Sequence, residues 1–119
     1  MNYIITSKPD FIGGTIRELK PKYLFFPHWS DKVPKDITQN YRCITFHEGE
    51  VPGGSPIQNL ILDGVEDTII RAIVMNDTID GGKVIYERHL SLEGTVEEIL
   101  LRESRIVGEM INEIQANNW

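Results

Sequence analysis

The sequence predicts an α/β fold: a sheet of mostly buried strands with flanking helices and a long helix near the C-terminal end. The run Tyr23-Leu24-Phe25-Phe26 is apolar throughout, as in strands that are buried on both faces. Segments with strand-like and helix-like patterns alternate through the first part of the chain, which is typical of α/β sheets. Thr95-Val96-Glu97-Glu98 has the pattern of a capping box and precedes apolar residues at helical spacing.

Each element is predicted from its own local pattern. The predicted strands are residues 3–6, 23–26, 43–46, 68–75 and 84–90. Ser7-Lys8-Pro9-Asp10 predicts the start of a helix that runs to about Lys20, and one helical turn is expected at 35–38. Ser55 and Pro56 predict the N-cap and first residue of a further helix, which Gly64 ends. The helix after Thr95 is expected to have about four to five turns.

Length and charge limit the classes of protein that are possible. The 119 residues suffice for one core, so we predict a single domain over residues 1–119. With 12 Lys and Arg against 18 Asp and Glu, the net charge is −6, which disfavours nucleic acid because phosphate neutralisation needs a basic surface. Cys43 is the single cysteine, and no apolar run is long enough to span a membrane. We therefore expect a cytoplasmic protein that binds neither nucleic acid nor membrane.

Three segments near predicted strand ends carry the candidate chemistry. They are Phe25-Phe26-Pro27-His28-Trp29-Ser30, the stretch from Thr45-Phe46-His47 through Val51-Pro52-Gly53-Gly54-Ser55-Pro56-Ile57-Gln58, and Asn76-Asp77-Thr78-Ile79-Asp80-Gly81-Gly82. Ligands in open α/β sheets bind beyond the carboxyl ends of the strands, so Trp29, His47 and Asp80 are expected to converge on one edge. Taken singly, a histidine after a strand is more often structural, and Asp-Gly-Gly is a common turn. Their joint order and spacing favours a functional site.

In this order and spacing the segments resemble the catalytic part of the folate-dependent formyltransferases, the superfamily of glycinamide ribonucleotide, methionyl-tRNA and sugar-nucleotide formyltransferases. The resemblance covers about residues 21–111. It implies a Rossmann-like sheet that is truncated, because the part ahead of the first motif is expected to lack most of the family's N-terminal half. It also implies N10-formyltetrahydrofolate as the formyl donor and a primary amine of a small metabolite, such as an amino sugar nucleotide, as the acceptor.

The same resemblance implies roles for individual residues. His47 takes the place of the catalytic histidine, and Asp80 that of the aspartate which orients it and assists proton transfer. These types suit the chemistry, because formyl transfer passes through a tetrahedral oxyanion and an aspartate favours the charged imidazole that can stabilise it. Thr45 stands where most relatives have Asn, so weaker oxyanion support is expected from its shorter side chain. The pterin of the donor is implied to lie against eight residues: Phe26, Pro27, His28, Trp29, Ser30, Asn76, Asp77 and Ile79.

Departures from the family pattern leave other functions open. The loop at 50–55 is shorter than usual and lacks an arginine, so a contact near the donor or the acceptor phosphate is in doubt. A catalytically impaired folate-binding or regulatory partner subunit is one alternative, and hydrolysis of formyltetrahydrofolate is a second. We expect no metal, because His28, His47 and His89 lack zinc-like spacing. An uncovered sheet edge predicts a homo-oligomer, most simply a dimer.

The acidic residues of the last predicted helix have a simpler interpretation. Glu97, Glu98, Glu103 and Glu109 are predicted to form its solvated face, because a run of like charges on an amphipathic helix normally faces water.

Overall fold

The computed structural model describes residues 3–4, 20–27, 33–49, 56–76 and 82–119. Five strands and three helices lie in these ranges. They are β1 (Tyr3–Ile4), β2 (Tyr23–Phe26), α1 (Lys35–Asn40), β3 (Arg42–Glu48), α2 (Ile57–Leu62), β4 (Asp67–Met75), β5 (Gly82–Ser91) and α3 (Val96–Asn117). The predicted α/β fold, with its flanking helices and long C-terminal helix, is confirmed.

The strands form one sheet in which each strand is hydrogen-bonded to the next, in the order β1-β2-β3-β4-β5. β1 and β3 both pair with β2 in the parallel sense, and Phe26 of β2 lies opposite Thr45 of β3. Because the two strands are parallel, their carboxyl ends lie at the same edge of the sheet. The register thus places Phe26 and Thr45, which belong to the first two motifs, side by side on neighbouring strands.

Most of the described elements agree with the sequence predictions, with shifts at their ends. β2 spans the predicted residues, whereas β3, β4 and β5 are longer than predicted. Pro56 occupies the N-cap position of α2 rather than its first turn, a one-residue shift of a kind common at helix ends. The helix predicted up to Lys20 lies outside the described residues, except for Lys20 itself.

The last helix is longer than predicted: it has 22 residues, which make about six turns, whereas about four to five turns were expected. Its final turn is polar, so no apolar periodicity marked it in the sequence. The helix ends at Asn118, whose φ of 61° is left-handed, and the backbone N–H of Trp119 donates to the carbonyl of Ile114. This arrangement supplies hydrogen-bond donors to carbonyl groups that would otherwise have none at the helix end.

By Cα proximity the chain divides into two compact units. The first comprises Met1–Phe46 and Ile73–Lys83. Its core is a cluster of buried side chains, which are Leu24, Phe26, Val33, Ile37 and Cys43, with Tyr41 and Met75 packed against it. Burial raises the pKa of the Cys43 thiol to about 12. Cys43 is therefore a neutral core residue at physiological pH and has no nucleophilic thiolate.

The second unit comprises His47–Ala72 and Val84–Trp119. Two side-chain contacts here show the relative direction of β4 and β5: the guanidinium of Arg71 lies 3.0 Å from the carboxylate of Glu87, and the carboxylate of Asp67 lies 3.4 Å from the imidazole of His89. The partner numbers fall along one strand as they rise along the other, which is the pattern of an antiparallel pair. The hairpin-like pairing expected for these two strands is thus found in the structure.

α3 in the second unit begins with the predicted capping box. The backbone N–H of Glu98 donates to the Thr95 hydroxyl, and the N–H of Thr95 donates to the Glu98 carboxylate. Apolar side chains at helical spacing form its inner face, and the buried ones are Ile99, Ile106, Val107, Met110, Ile111 and Ile114. No helix in the described ranges is long and apolar enough to cross a membrane.

Candidate active site

Thr45 joins the middle of β3 to the end of the parallel strand β2. Its side chain is buried, and its hydroxyl donates a hydrogen bond to the backbone carbonyl of Phe26, with 3.3 Å between the oxygens. A hydroxyl has one proton, so while this bond is made the Thr45 oxygen can accept a hydrogen bond but cannot donate a second one. The bond fixes the spacing of β2 and β3 at the edge where the candidate site is predicted.

His47 is the next residue of β3 on the same face as Thr45, since side chains alternate along a strand. The sequence pattern predicts His47 at or just after a strand end, but β3 continues through Glu48, so the histidine lies within the strand. Its side chain is half-buried. The strand ends at Glu48, and the next residue, Gly49, has a φ of 89° that suits glycine and an N–H that donates to the carbonyl of Ile69.

The predicted donor site is described only in part. Phe26 is fully buried, Pro27 follows β2 and is half-buried, and Asn76 follows β4 and is exposed. The remaining predicted site residues, which are His28, Trp29, Ser30, Asp77, Ile79 and Asp80, lie outside the described residues. The distance from His47 to Asp80 and the pterin pocket therefore stay predictions.

The glycine pair that follows Asp80 includes one residue with a clear steric role. Gly82 opens β5 with a φ of 155°, and a Cβ at this position would collide with the backbone carbonyl of Val74 on β4. Any larger residue would push the two strands apart. The second glycine of the motif is therefore required by the close approach of β4 and β5.

The carboxyl group of Glu103 is buried, contrary to the prediction from the sequence. Glu103 was predicted on the solvated face of the last helix, but its side chain is only 5% exposed. The physical reason is its position in the stripe Ile99-Glu103-Ile106-Met110, whose spacing of three and four residues puts all four on one helix face. The neighbouring acid that acts on Glu103 is Glu48, the residue after His47. The helical spacing was the signal that could have identified it.

The remaining acidic residues of α3 have other partners. Glu97 is exposed as predicted, and Glu98 belongs to the capping box. Glu109 is half-buried and accepts hydrogen bonds from Arg88 and Arg105. Within the described ranges, no three His, Cys, Asp or Glu side chains come close enough together to hold a metal ion.

Comparison with known proteins shows which proteins this chain resembles in sequence and fold. No protein-family profile matches the chain. A methionyl-tRNA formyltransferase from Wigglesworthia glossinidia brevipalpis is 37% identical over 110 residues, which cover 87% of this chain and 34% of that relative. Methionyl-tRNA formyltransferase from Clostridium thermocellum superposes with a TM-score of 0.85 at 34% identity, over 99% of this chain and 66% of that one.

A more distant structure has the same fold. HypX from Aquifex aeolicus, in complex with tetrahydrofolic acid, superposes with a TM-score of 0.59 at 19% identity, over 85% of this chain and 21% of that one. These findings define a protein with a formyltransferase-type α/β fold. The chain belongs to the formyltransferase superfamily, and it spans about a third of the length of the curated methionyl-tRNA formyltransferases that it matches.

Proposed function

We propose that the protein transfers a formyl group from N10-formyltetrahydrofolate to a primary amine. The observation that carries the proposal is the position of Thr45 and His47. They lie on one face of β3, in a chain of the formyltransferase superfamily, and Thr45 is paired with the last residue of β2. The tetrahydrofolic acid bound to HypX, which has the same fold, supports a folate donor.

The proposed reaction uses His47 as an acid near the formyl carbon. The amine nitrogen attacks this carbon, and the imidazolium donates a hydrogen bond to the oxyanion that forms. The bond from carbon to N10 then breaks, and one proton leaves the amine nitrogen while one is delivered to N10, so that the charges balance. Asp80 is proposed to keep the imidazole oriented and charged during these steps.

Thr45 has a supporting part in this proposal. Because its proton is donated to the Phe26 carbonyl, Thr45 holds the end of β2 against β3, and the oxyanion is stabilised mainly by His47. A direct bond from Thr45 to the oxyanion would require the hydroxyl to rotate and leave the Phe26 carbonyl without this donor.

The acceptor is proposed to be a primary amine on a small metabolite, such as an amino sugar nucleotide. The supporting observation is the net charge of −6, which opposes binding to a polyanion. Two of the relatives named above are methionyl-tRNA formyltransferases, so methionyl-tRNA is the comparison substrate. Formylation of tRNA in preference to every small amine would overturn this part of the proposal.

Self-association remains part of the proposal. Large apolar side chains are exposed in the second unit, namely Leu62, Val96, Leu100 and Leu101. A contact with a second copy would remove such groups from water. Light scattering at micromolar concentration distinguishes a dimer from a monomer.

Substitution of His47 tests the catalytic proposal. His47→Ala should lower kcat/KM by a factor of about 10² to 10³, the usual effect of removing an oxyanion donor. Thr45→Ala should lower it about tenfold or less, because one neutral hydrogen bond is lost. The measurement is consumption of the donor with and without a panel of amines. His89→Ala is the matched control, since His89 is an exposed histidine on β5.

The outcomes separate the three candidate functions. Calorimetry with 5-formyltetrahydrofolate should detect binding in the wild type and in His47→Ala. Binding without donor consumption would favour the folate-binding subunit, and consumption that needs no amine would favour the hydrolase. Equal losses of activity in His47→Ala and His89→Ala would remove His47 from the mechanism.

A further inference from the structure

Glu103 is an unusual residue for the inner face of a helix. Its side chain is 95% buried among apolar residues of α3, with Ile99 and Val107 one turn away on either side. An ionised carboxylate at such a position is costly unless it is paired with a cation or neutralised by a proton. The described residues supply no cation to it, and one of its oxygens, Oε2, has no hydrogen-bond partner among them.

Glu48 is the residue that meets Glu103 from the strand. It is the last residue of β3, it is half-buried, and its carboxyl group is near enough to that of Glu103 to form a hydrogen bond with it. Two carboxylates repel each other, and neither can donate a hydrogen bond, so the bond between them requires a proton on one of the two. Burial, and then the hydrogen bond and charge of Glu48, raise the pKa of Glu103 to about 8.

Other charged groups near this helix turn are engaged elsewhere. Arg102 donates to the backbone carbonyls of Ser91 and Glu93, and Arg105 pairs with Glu109. From the sheet, Glu48 is the described charged group that acts on Glu103. His47 lies next to Glu48 in β3, on the opposite face of the strand.

We propose that Glu103 and Glu48 share one proton, and that this bond ties α3 to the end of β3 and makes Glu103 a positioning residue for His47. Both members of the pair belong to the same compact unit as His47. Fixing the backbone at Glu48 fixes the position of the neighbouring imidazole, since the two are consecutive residues of one strand. The part that concerns His47 rests on the proposed function, whereas the shared proton does not.

The shared proton has a defined effect on stability. The pKa of Glu103 is raised in the folded protein, so the folded state binds this proton more tightly than the unfolded chain does. The stabilisation is complete below the unfolded value of 4.5 and is lost as the pH rises to about 8. Above that pH the pair no longer holds the shared proton, and the contact between α3 and β3 becomes repulsive.

Glu103→Gln tests the shared proton. The glutamine amide can donate to Glu48 at every pH, so the variant should lack this loss of stability. Between about pH 5 and about pH 9, the Tm of the wild type should fall relative to that of Glu103→Gln by at least about 5 °C. The wild type should also show an infrared band of a protonated carboxylic acid at neutral pH, and Glu103→Gln should lack it.

Two further variants make the result decisive. Glu97→Gln, an exposed glutamate of α3, should keep the pH dependence of the wild type. Glu48→Gln should weaken the dependence, and because Glu48 is only half-buried it reports even if Glu103→Gln fails to fold. Parallel pH profiles in the wild type and both glutamine variants of the pair, with no acid band in the wild type, would overturn the shared proton.

Activity then tests the positioning role separately. Above about pH 8 the wild type should lose kcat with little change in KM for the donor, whereas Glu103→Gln should retain its kcat. If kcat falls with rising pH in Glu103→Gln as it does in the wild type, Glu103 has no positioning role. If the wild type transfers no formyl group, the proposed function fails, but the Tm and infrared measurements still decide whether the proton is shared.

Discussion

β2 and β5 belong to one sheet but differ in almost every property. All four residues of β2 are buried, with at most 1% exposure, whereas Leu90 is the only buried residue among the ten of β5. β2 lies between two parallel neighbours, and β5 is the last strand in the order of the described sheet. We therefore expect the side chains of β2 to contribute more to the free energy of unfolding than those of β5, which are largely charged and exposed.

The contrast explains where the candidate site lies. The end of β2 and the adjacent part of β3 are fixed by burial and by the hydrogen bond from Thr45 to Phe26. Reactive groups must be held in place by packed neighbours if they are to keep their geometry. On β5, charged side chains such as Glu87, which pairs with Arg71 of β4, are exposed to water. Charged side chains on an outer strand disfavour its pairing with strands of other chains.

The largest effect is expected for Phe25→Ala in β2. Phe25 is fully buried and lies opposite Ile44, so the change should lower the free energy of unfolding by about 3–5 kcal/mol. Val84→Ala on β5 is the control, because Val84 is 38% exposed, and should cost less than about 1 kcal/mol. Urea unfolding measures both, with Phe25→Leu available if Phe25→Ala does not fold. Similar costs at the two positions would contradict the contrast.

An intermediate effect is expected at the capping box of α3. Thr95→Ala should lower the free energy of unfolding by about 1 kcal/mol, because the N–H of Glu98 loses its acceptor. Hydrogen bonds from Thr95 lower the pKa of Glu98, so its contribution is present above pH 4.5 and is lost as the pH falls through the lower folded value. Thermal unfolding across this range should show the loss in the wild type and less of it in Thr95→Ala.

The smallest effect is expected for Glu87→Gln on β5. The pair with Arg71 has an N···O distance of 3.0 Å, but Glu87 is 47% exposed. Exposed ion pairs contribute little, so the free energy of unfolding should change by less than about 1 kcal/mol. The difference should shrink further at high salt, which screens exposed charges. If Glu87→Gln lowers the free energy of unfolding as much as Phe25→Ala does, the outer strand contributes as much to stability as the buried one, and the contrast is wrong.

Local patterns in the sequence were sufficient for much of the fold. The apolar run of β2 and the capping box of α3 were predicted at the residues where they occur, because both depend on near neighbours in the chain. The order of the site motifs was also sufficient to identify the superfamily. The ends of β3 and β5 were predicted short, because polar residues such as His47 and Lys83 continue these strands without an apolar signal.

The sequence by itself determined the class of fold, the main helix start, the buried strand and the residues proposed for catalysis. Only the tertiary structure decided that the Thr45 proton is donated to Phe26 and that Glu103 meets Glu48. Both facts depend on contacts between segments far apart in the chain, through strand register in one case and helix packing in the other. The side chain of a threonine or glutamate is compatible with water or with burial, and the surrounding residues determine which of the two it adopts.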